Sequence, residues 1–208
     1  MPKLLHMICS PRATSESAAG GRLLVDCFNK AHPDWDIDEM DLWRESLPEF
    51  SGAILDAKYA RLGGRGFTHD ERDAFAVAER MAVRLALSDR VVISTPMWNF
   101  SIPYKLKQWI DIISQPGLTF RFDPVQGYQP LLKDRPTLVI IASGGDFVTG
   151  MNRGRIDMAT PYLREALRFI GIRDVRFVPI GPTTGGVGAI EAARALAHRQ
   201  LGELGARF

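Results

Sequence analysis

The chain has 208 residues, enough for one domain with a layered core, and its 26 Lys and Arg against 24 Asp and Glu leave a formal charge of only +2. So even a balance gives no global field that would draw nucleic acid or an anionic membrane, and any anion must be held by a local arrangement. Two cysteines, Cys9 and Cys27, are too few for a disulfide framework, and no CxxC pair is present for zinc or thioredoxin-like redox work.

The opening MPKLLHMICSPR reaches a polar turn after an apolar stretch far shorter than a secretory core, and no later segment approaches the roughly 20 apolar residues of a membrane span. The expected home is the cytoplasm. Lys3 to Cys9 reads as a first buried strand, a helix follows over about 16–31, and Trp35 to Leu42 reads as a weaker strand. The stretch from about 45 to 67 contains Pro48 and several glycines and is long for a strand-to-helix connection, so it reads as a surface excursion, a lid or a dimer contact. Beyond it come a helix over about 68–88, the strand Arg90–Ser94 (RVVIS), a helix over about 103–115 and the strand Thr137–Ala142 (TLVIIA). A helix over about 158–170, the strand Val175–Ile180 and a last helix over about 187–204 complete the alternation.

Strands alternating with helices predict an α/β fold, one domain over residues 1–208, with a doubly wound parallel sheet and helices on both faces. Five such strands fit the order 2-1-3-4-5, in which ligands bind beyond the carboxyl ends of the strands where the order reverses. That rule points to the loops after Cys9, after Ser94 and after Ala142.

The first loop, Cys9-Ser10-Pro11-Arg12-Ala13-Thr14-Ser15-Glu16-Ser17, carries hydroxyls into the start of a helix. A helix N-terminus offers unpaired N–H groups and a partial positive charge, so Ser10, Ser15, Glu16 and Ser17 are candidates for cradling a phosphate monoester. Taken alone, Ser15 or Ser17 would simply cap the helix; position after the first strand favours the cradle. Neither GxxxxGK[ST] nor GxGxxG follows this strand, and a Cys-x5-Arg phosphatase would need Arg where Ser15 stands. Cys9 reads as a small buried hydrophobe.

In the second loop prolines pin both ends of Pro96-Met97-Trp98-Asn99-Phe100-Ser101-Ile102-Pro103. Met97, Trp98 and Phe100 offer apolar faces to a flat ring, and Asn99 with neighbouring amides offers donors to its edge; an aromatic plug between strand and helix is the alternative. The third loop, Ser143-Gly144-Gly145, lets backbone approach the same ring closely, or serves as a plain strand-end turn.

These residues resemble a known family. Thr95 to Pro103, the run Lys105-Leu106-Lys107 and the segment Gly117-Leu118-Thr119-Phe120-Arg121-Phe122 are similar to the P-M-[YW]-N-F loop and G-x-T-F-x-[FY] segment of FMN-dependent NADH:quinone oxidoreductases, also called azoreductases, which have the flavodoxin-like fold. Ser10 with Ser15-Glu16-Ser17 resembles their phosphate loop, and Gly144-Gly145 the glycines after their fourth strand. Thr160-Pro161-Tyr162-Leu163 and Phe169-Ile170-Gly171-Ile172 extend the likeness over nearly the whole chain.

The resemblance implies FMN as cofactor, NADH or NADPH as donor, quinones or azo compounds as acceptors, a ping-pong cycle and a homodimer with FMN at the interface. Trp98, Phe120, Phe122 and Tyr128 are candidates for the acceptor pocket; for the last three a packed hairpin is the competing reading. Glu16 stands where family members often carry Gln, which sets a carboxylate beside the phosphate, and Ala142-Ser143 replaces a Ser-Arg or Ser-Gly pair.

No catalytic side chain is assigned, since the cofactor carries the chemistry. His6, His32, His69 and His198 are scattered without ligand spacing, so no metal is expected. Two alternatives share the fold: a flavodoxin-type carrier that passes electrons to protein partners, for which the nearly neutral charge is a poor match, and a flavin-free interaction module.

Overall fold

The computed structural model describes residues 1–147 and 154–208. Its strands are β1 (Lys3–Ile8), β2 (Asp36–Asp41), β3 (Arg90–Pro96), β4 (Phe120–Asp123), β5 (Gly127–Pro130), β6 (Thr137–Ala142) and β7 (Val175–Ile180). Its helices are α1 (Glu16–Ala31), α2 (Ala53–Leu62), α3 (His69–Ala86), α4 (Tyr104–Ile113), α5 (Ala159–Ile170) and α6 (Val187–Gly205). Five strands form a parallel sheet in the order β2-β1-β3-β6-β7, which is 2-1-3-4-5 when its own strands are counted, while β4 and β5 pair as a separate antiparallel hairpin.

Side chains alternate across this sheet, as the period of a strand requires, and the two sets enter different clusters. Leu5, Met7, Val91, Ile93, Val139 and Ile141 pack with residues of α3, α4 and α5 such as Leu85, Trp109 and Leu163. Leu4, Val92, Leu138, Ile140 and Val178 pack instead with Leu24 and Phe28 of α1 and with Ala197 and Leu201 of α6. Both faces being covered, the central strands β3 and β6 are almost wholly buried, which is why they are written as continuous apolar runs.

Two local features fix α1 over the sheet. Ser15 caps its N-terminus, its hydroxyl accepting from the Ala18 N–H at 3.3 Å. Gly21 then permits a close approach: a Cβ built there would lie 2.0 Å from Ser94 Oγ and 2.5 Å from His6 Nε2, the two atoms that themselves form a buried 2.9 Å hydrogen bond.

The segment read as a surface excursion at 45–67 contains a helix that was not among those expected. Its middle forms α2, which buries Ile54, Ala57 and Ala60, with Ile54 packed against Ala78 of α3 and Ile112 of α4. A single large apolar side chain among those three gives too faint a helical period to read, and the glycines at either end mask what remains. None of the described helices is long and apolar enough to cross a membrane.

Candidate functional site

The carboxyl ends of β1, β3, β6 and β7 carry four loops that meet along one rim of the sheet. In the first, Ser10 Oγ accepts from the Arg12 N–H at 3.4 Å and Ser15 Oγ lies 3.1 Å from Ser17 Oγ. Ser15 and the helix together satisfy the Ala18 and Ala19 N–H groups. Helix geometry leaves the N–H groups of Glu16 and Ser17 without acceptors in the helix itself. Ser10, Arg12, Thr14, Ser15 and Glu16 line a narrow cleft of about 230 Å³ there.

The second loop leaves β3 with the Met97 N–H donating to Ala142 O at 2.7 Å, then folds back on itself. Trp98 and Ser101 exchange backbone hydrogen bonds of 2.8 and 2.9 Å around Asn99 (φ 48°) and Phe100 (φ 71°). Positive φ at both central residues makes this the mirror-image two-residue turn, which Asn tolerates and Phe rarely adopts. Strain of this kind costs on the order of 1–3 kcal/mol and persists where surrounding structure over-determines it, commonly at ligand sites. Phe100 is nevertheless 44% exposed, its backbone O tied to the Met158 N–H at 2.9 Å.

The third loop is knitted to a fourth, after β7, that sequence reasoning passed over. Ser143 O accepts from both the N–H and the hydroxyl of Thr183, at 2.9 and 3.0 Å, and Gly144 O accepts from the Thr184 hydroxyl at 2.9 Å. The Ser143 hydroxyl is committed within its own loop, donating to Gly145 O at 2.8 Å. Met97, Asn99, Phe100, Ser143, Gly144, Gly145 and Pro182 line a wider cleft of about 480 Å³. Met97, Gly144 and Thr184 belong to both clefts, so the narrow one opens into the wide one. A hydroxyl-lined helix N-terminus thus leads to a broader, largely polar space in which Met97, Phe100, Phe147 and Pro182 stand beside Asp146, Arg155 and backbone amides, which suits an elongated ligand with an anionic tail and a flat head with polar edges.

Glu16 on this rim is paired with an arginine of the last helix. Both Glu16 oxygens are taken by Arg194 of α6, Nη2 at 2.5 Å and Nε at 3.0 Å, and this hydrogen-bonded guanidinium holds the carboxyl below the ordinary range. Cys9 is fully buried, and burial, with the nearby Asp41 charge, pushes its thiol up, so it stays protonated and supplies no thiolate. Its carbonyl accepts from Trp43 Nε1 at 3.1 Å, and the Trp43 ring stands 5.9 Å from Trp98 and 5.3 Å from Tyr104.

Of the residues picked from the sequence, Ser10, Ser15, Glu16, Pro96, Met97, Trp98, Asn99, Phe100, Ser143, Gly144 and Gly145 all line one or other of the adjoining clefts. Ser17 is fully buried and lines neither cleft. Phe120, Phe122 and Tyr128 line neither cleft: Phe120 is 3% exposed and packs on Tyr128 and Phe169, while Phe122 and Tyr128 pair at 5.2 Å on the β4–β5 hairpin. Arg12, Thr14, Pro182, Thr183 and Thr184 were not picked, although a hydroxyl pair directly after the fifth sheet strand was a visible signal for the last two.

Residues 2–204 match the family model described as flavodoxin-like fold. The FMN-dependent NADH:quinone oxidoreductase 1 of Bradyrhizobium diazoefficiens is 70% identical over 208 residues, covering all of both chains. The chain belongs to this family. Another relative, the FMN-dependent NADH:quinone oxidoreductase of Desulfotalea psychrophila, is 39% identical over 184 residues, 88% of this chain and 86% of that one. Among solved structures, an azoreductase from Bacillus anthracis superposes over 100% of both chains with a TM-score of 0.90 at 25% identity. At 24% identity, an FMN-dependent NADH-azoreductase from the same species in complex with FMN shares the fold, with a TM-score of 0.82 over 99% of this chain and 100% of that one.

Proposed function

We propose that this chain is an FMN-dependent oxidoreductase that passes two electrons from NADH or NADPH to quinones or azo compounds. The observation that carries this reading is the joined pair of clefts, whose narrow end is a hydroxyl-lined helix N-terminus and whose wide end is bounded by Met97, the Asn99–Phe100 turn and Gly144-Gly145. A phosphate monoester fits the narrow end, where the N–H of Glu16 and the hydroxyls of Ser10, Thr14 and Ser15 would hold it, with Ser17 packed beneath them. Isoalloxazine fits the wide end, between the Pro96–Phe100 loop and Ser143–Gly145, with Asn99 and backbone amides at its edge.

Bound there, FMN supplies the two-electron chemistry between a nicotinamide donor and an aromatic acceptor. The protein's contribution is position: the loop pinned between Pro96 and Pro103 fixes Asn99, and the strained turn holds that amide in one direction. Trp98, braced by Trp43, offers a flat apolar surface to an aromatic acceptor. One cleft serving donor and acceptor in turn makes the cycle ping-pong.

Phe120 is packed in the core and contacts no acceptor, whereas Phe122 and Tyr128, exposed on the β4–β5 hairpin, would serve the acceptor pocket of a second copy in a homodimer. A single cytoplasmic domain over residues 1–208, its sheet doubly wound, completes the proposal.

The test is spectroscopic. Purified chain mixed with FMN should retain a flavin spectrum, which should bleach on anaerobic addition of NADH and return on addition of a quinone. Retained flavin without NADH oxidation would identify an electron carrier, and a protein that takes up no flavin would refute the whole reading.

A further inference from the structure

Glu16 sets a problem for the phosphate cleft that it helps to line. It is the first residue of α1, and its carboxylate would oppose a phosphate by like charge. Protonation offers no relief at neutral pH, where a carboxyl is ionised in any case and the hydrogen bond from Arg194 lowers its pKa further. What the structure supplies instead is a guanidinium in fork geometry: Nη2 meets Oε1 at 2.5 Å and Nε meets Oε2 at 3.0 Å, so both carboxylate oxygens are engaged at once.

The placement of that guanidinium depends on how α6 lies on α1. Arg194, Ala197 and Leu201 share one face of α6 by their spacing, and the last two are buried in the cluster that also holds Leu24 and Phe28 of α1. The contact is close, since a Cβ on Gly20 of α1 would come within 2.9 Å of Leu201 Cδ1, and one on Gly205 of α6 within 2.5 Å of Leu24 O. The side chains of Arg194 and Glu16 remain 45% and 23% exposed, and a pair so placed adds little to stability by itself. Its consequence is local to the cleft.

We propose that Arg194 is a positioning residue for the phosphate of the cofactor: by taking both oxygens of Glu16 it neutralises that carboxylate and holds it as a wall of the cleft, so that a phosphate monoester can enter beside it. The inference rests on the FMN reading above. It assigns to the last helix a part in retaining the cofactor.

The experiment is a titration of apoprotein with FMN, followed by quenching of flavin fluorescence, in wild type, Arg194→Ala, Glu16→Gln and the double variant. Riboflavin, which lacks the phosphate, is titrated in parallel. Arg194→Ala should weaken FMN binding on the order of tenfold, the scale of one uncompensated charge beside another at a partly screened site, and should leave riboflavin binding unchanged. Adding Glu16→Gln to Arg194→Ala should return FMN affinity to that of Glu16→Gln alone, since no carboxylate is left to neutralise. Arg194→Gln, which keeps the apolar stem, should behave as Arg194→Ala does and guards against loss of packing.

Unchanged FMN affinity in both Arg194 variants overturns the inference. So does an equal loss for riboflavin, which marks a structural role only, or an FMN-specific loss that persists in the double variant, which marks direct attraction of the phosphate by Arg194 instead of neutralisation of Glu16. Wild type that binds no FMN overturns the flavin reading, and this inference with it.

Discussion

Replacing Gly21 by Ala sets two effects of opposite sign against each other. In the middle of α1, Ala is favoured over Gly by about 1 kcal/mol on helix propensity, so an exposed site would be stabilised. Here the added methyl would stand 2.0 Å from Ser94 Oγ and 2.5 Å from His6 Nε2. Ser94 is 0% and His6 1% exposed, so neither polar atom can turn to water. Either the His6–Ser94 hydrogen bond breaks, leaving a buried polar group unsatisfied at about 1–3 kcal/mol, or α1 lifts and loses packing at about 1–3 kcal/mol. Set against the helix-propensity gain, either steric cost leaves a net loss of up to about 2 kcal/mol. Urea unfolding should show a lower midpoint at unchanged slope, and the melting temperature should fall by roughly 2–4 °C for each kcal/mol lost. Gly202→Ala in α6 is the control: nothing lies within 4 Å of its Cβ, so that change should stabilise by about 0.5–1 kcal/mol. A Gly21→Ala protein stabilised by the full 1 kcal/mol or so of an exposed site would refute the close approach of α1 to the sheet.

His6 makes stability depend on pH in a stated direction. Burial, and after it the Arg22 charge, lowers its pKa from 6.5 to about 4. Between those values the unfolded chain binds a proton that the folded chain does not, so stability is lost as pH falls through that window, by up to about 1.4 kcal/mol per pH unit. His6→Gln removes this dependence, so urea midpoints of variant and wild type measured near pH 7 and near pH 5 should converge at the lower pH; parallel profiles would contradict a neutral buried imidazole. At the turn, Asn99→Ala should weaken FMN retention by about tenfold or more, since it removes the amide and puts Ala at φ 48°, while circular dichroism stays unchanged. Asn99→Gly separates those causes, because it keeps the backbone and deletes only the amide; wild-type flavin affinity in that variant removes the side chain from the site.

Much of the architecture was legible because its determinants are local. RVVIS and TLVIIA could be read as central strands since a strand covered on both faces has no polar side to show, and the structure buries nearly all of both. The order of the sheet strands followed from their alternation with amphipathic helices, and once the order was known the loops after Ile8, Pro96 and Ala142 had to share a rim. Most of the cleft-lining residues were found by that rule alone. The helix α2 escaped it because what holds its Ile54 in place is Ala78 and Ile112, far along the chain, and not a periodic stripe of its own.

What only the tertiary structure decided are pairings between distant segments. Sequence places four hydroxyls before and within the first turn of α1 but cannot say which face inward; packing buries Ser17 and leaves Ser10, Thr14 and Ser15 on the cleft. Thr183 and Thr184 enter the site because β7 lies beside β6, which brings their hydroxyls to Ser143 and Gly144. Glu16 and Arg194 are 178 residues apart and meet because α1 and α6 pack on the same face of the sheet. Periodicity and turn chemistry act within a few residues and are written in the chain, whereas the partner of a charge or hydroxyl is chosen by which elements the core brings together.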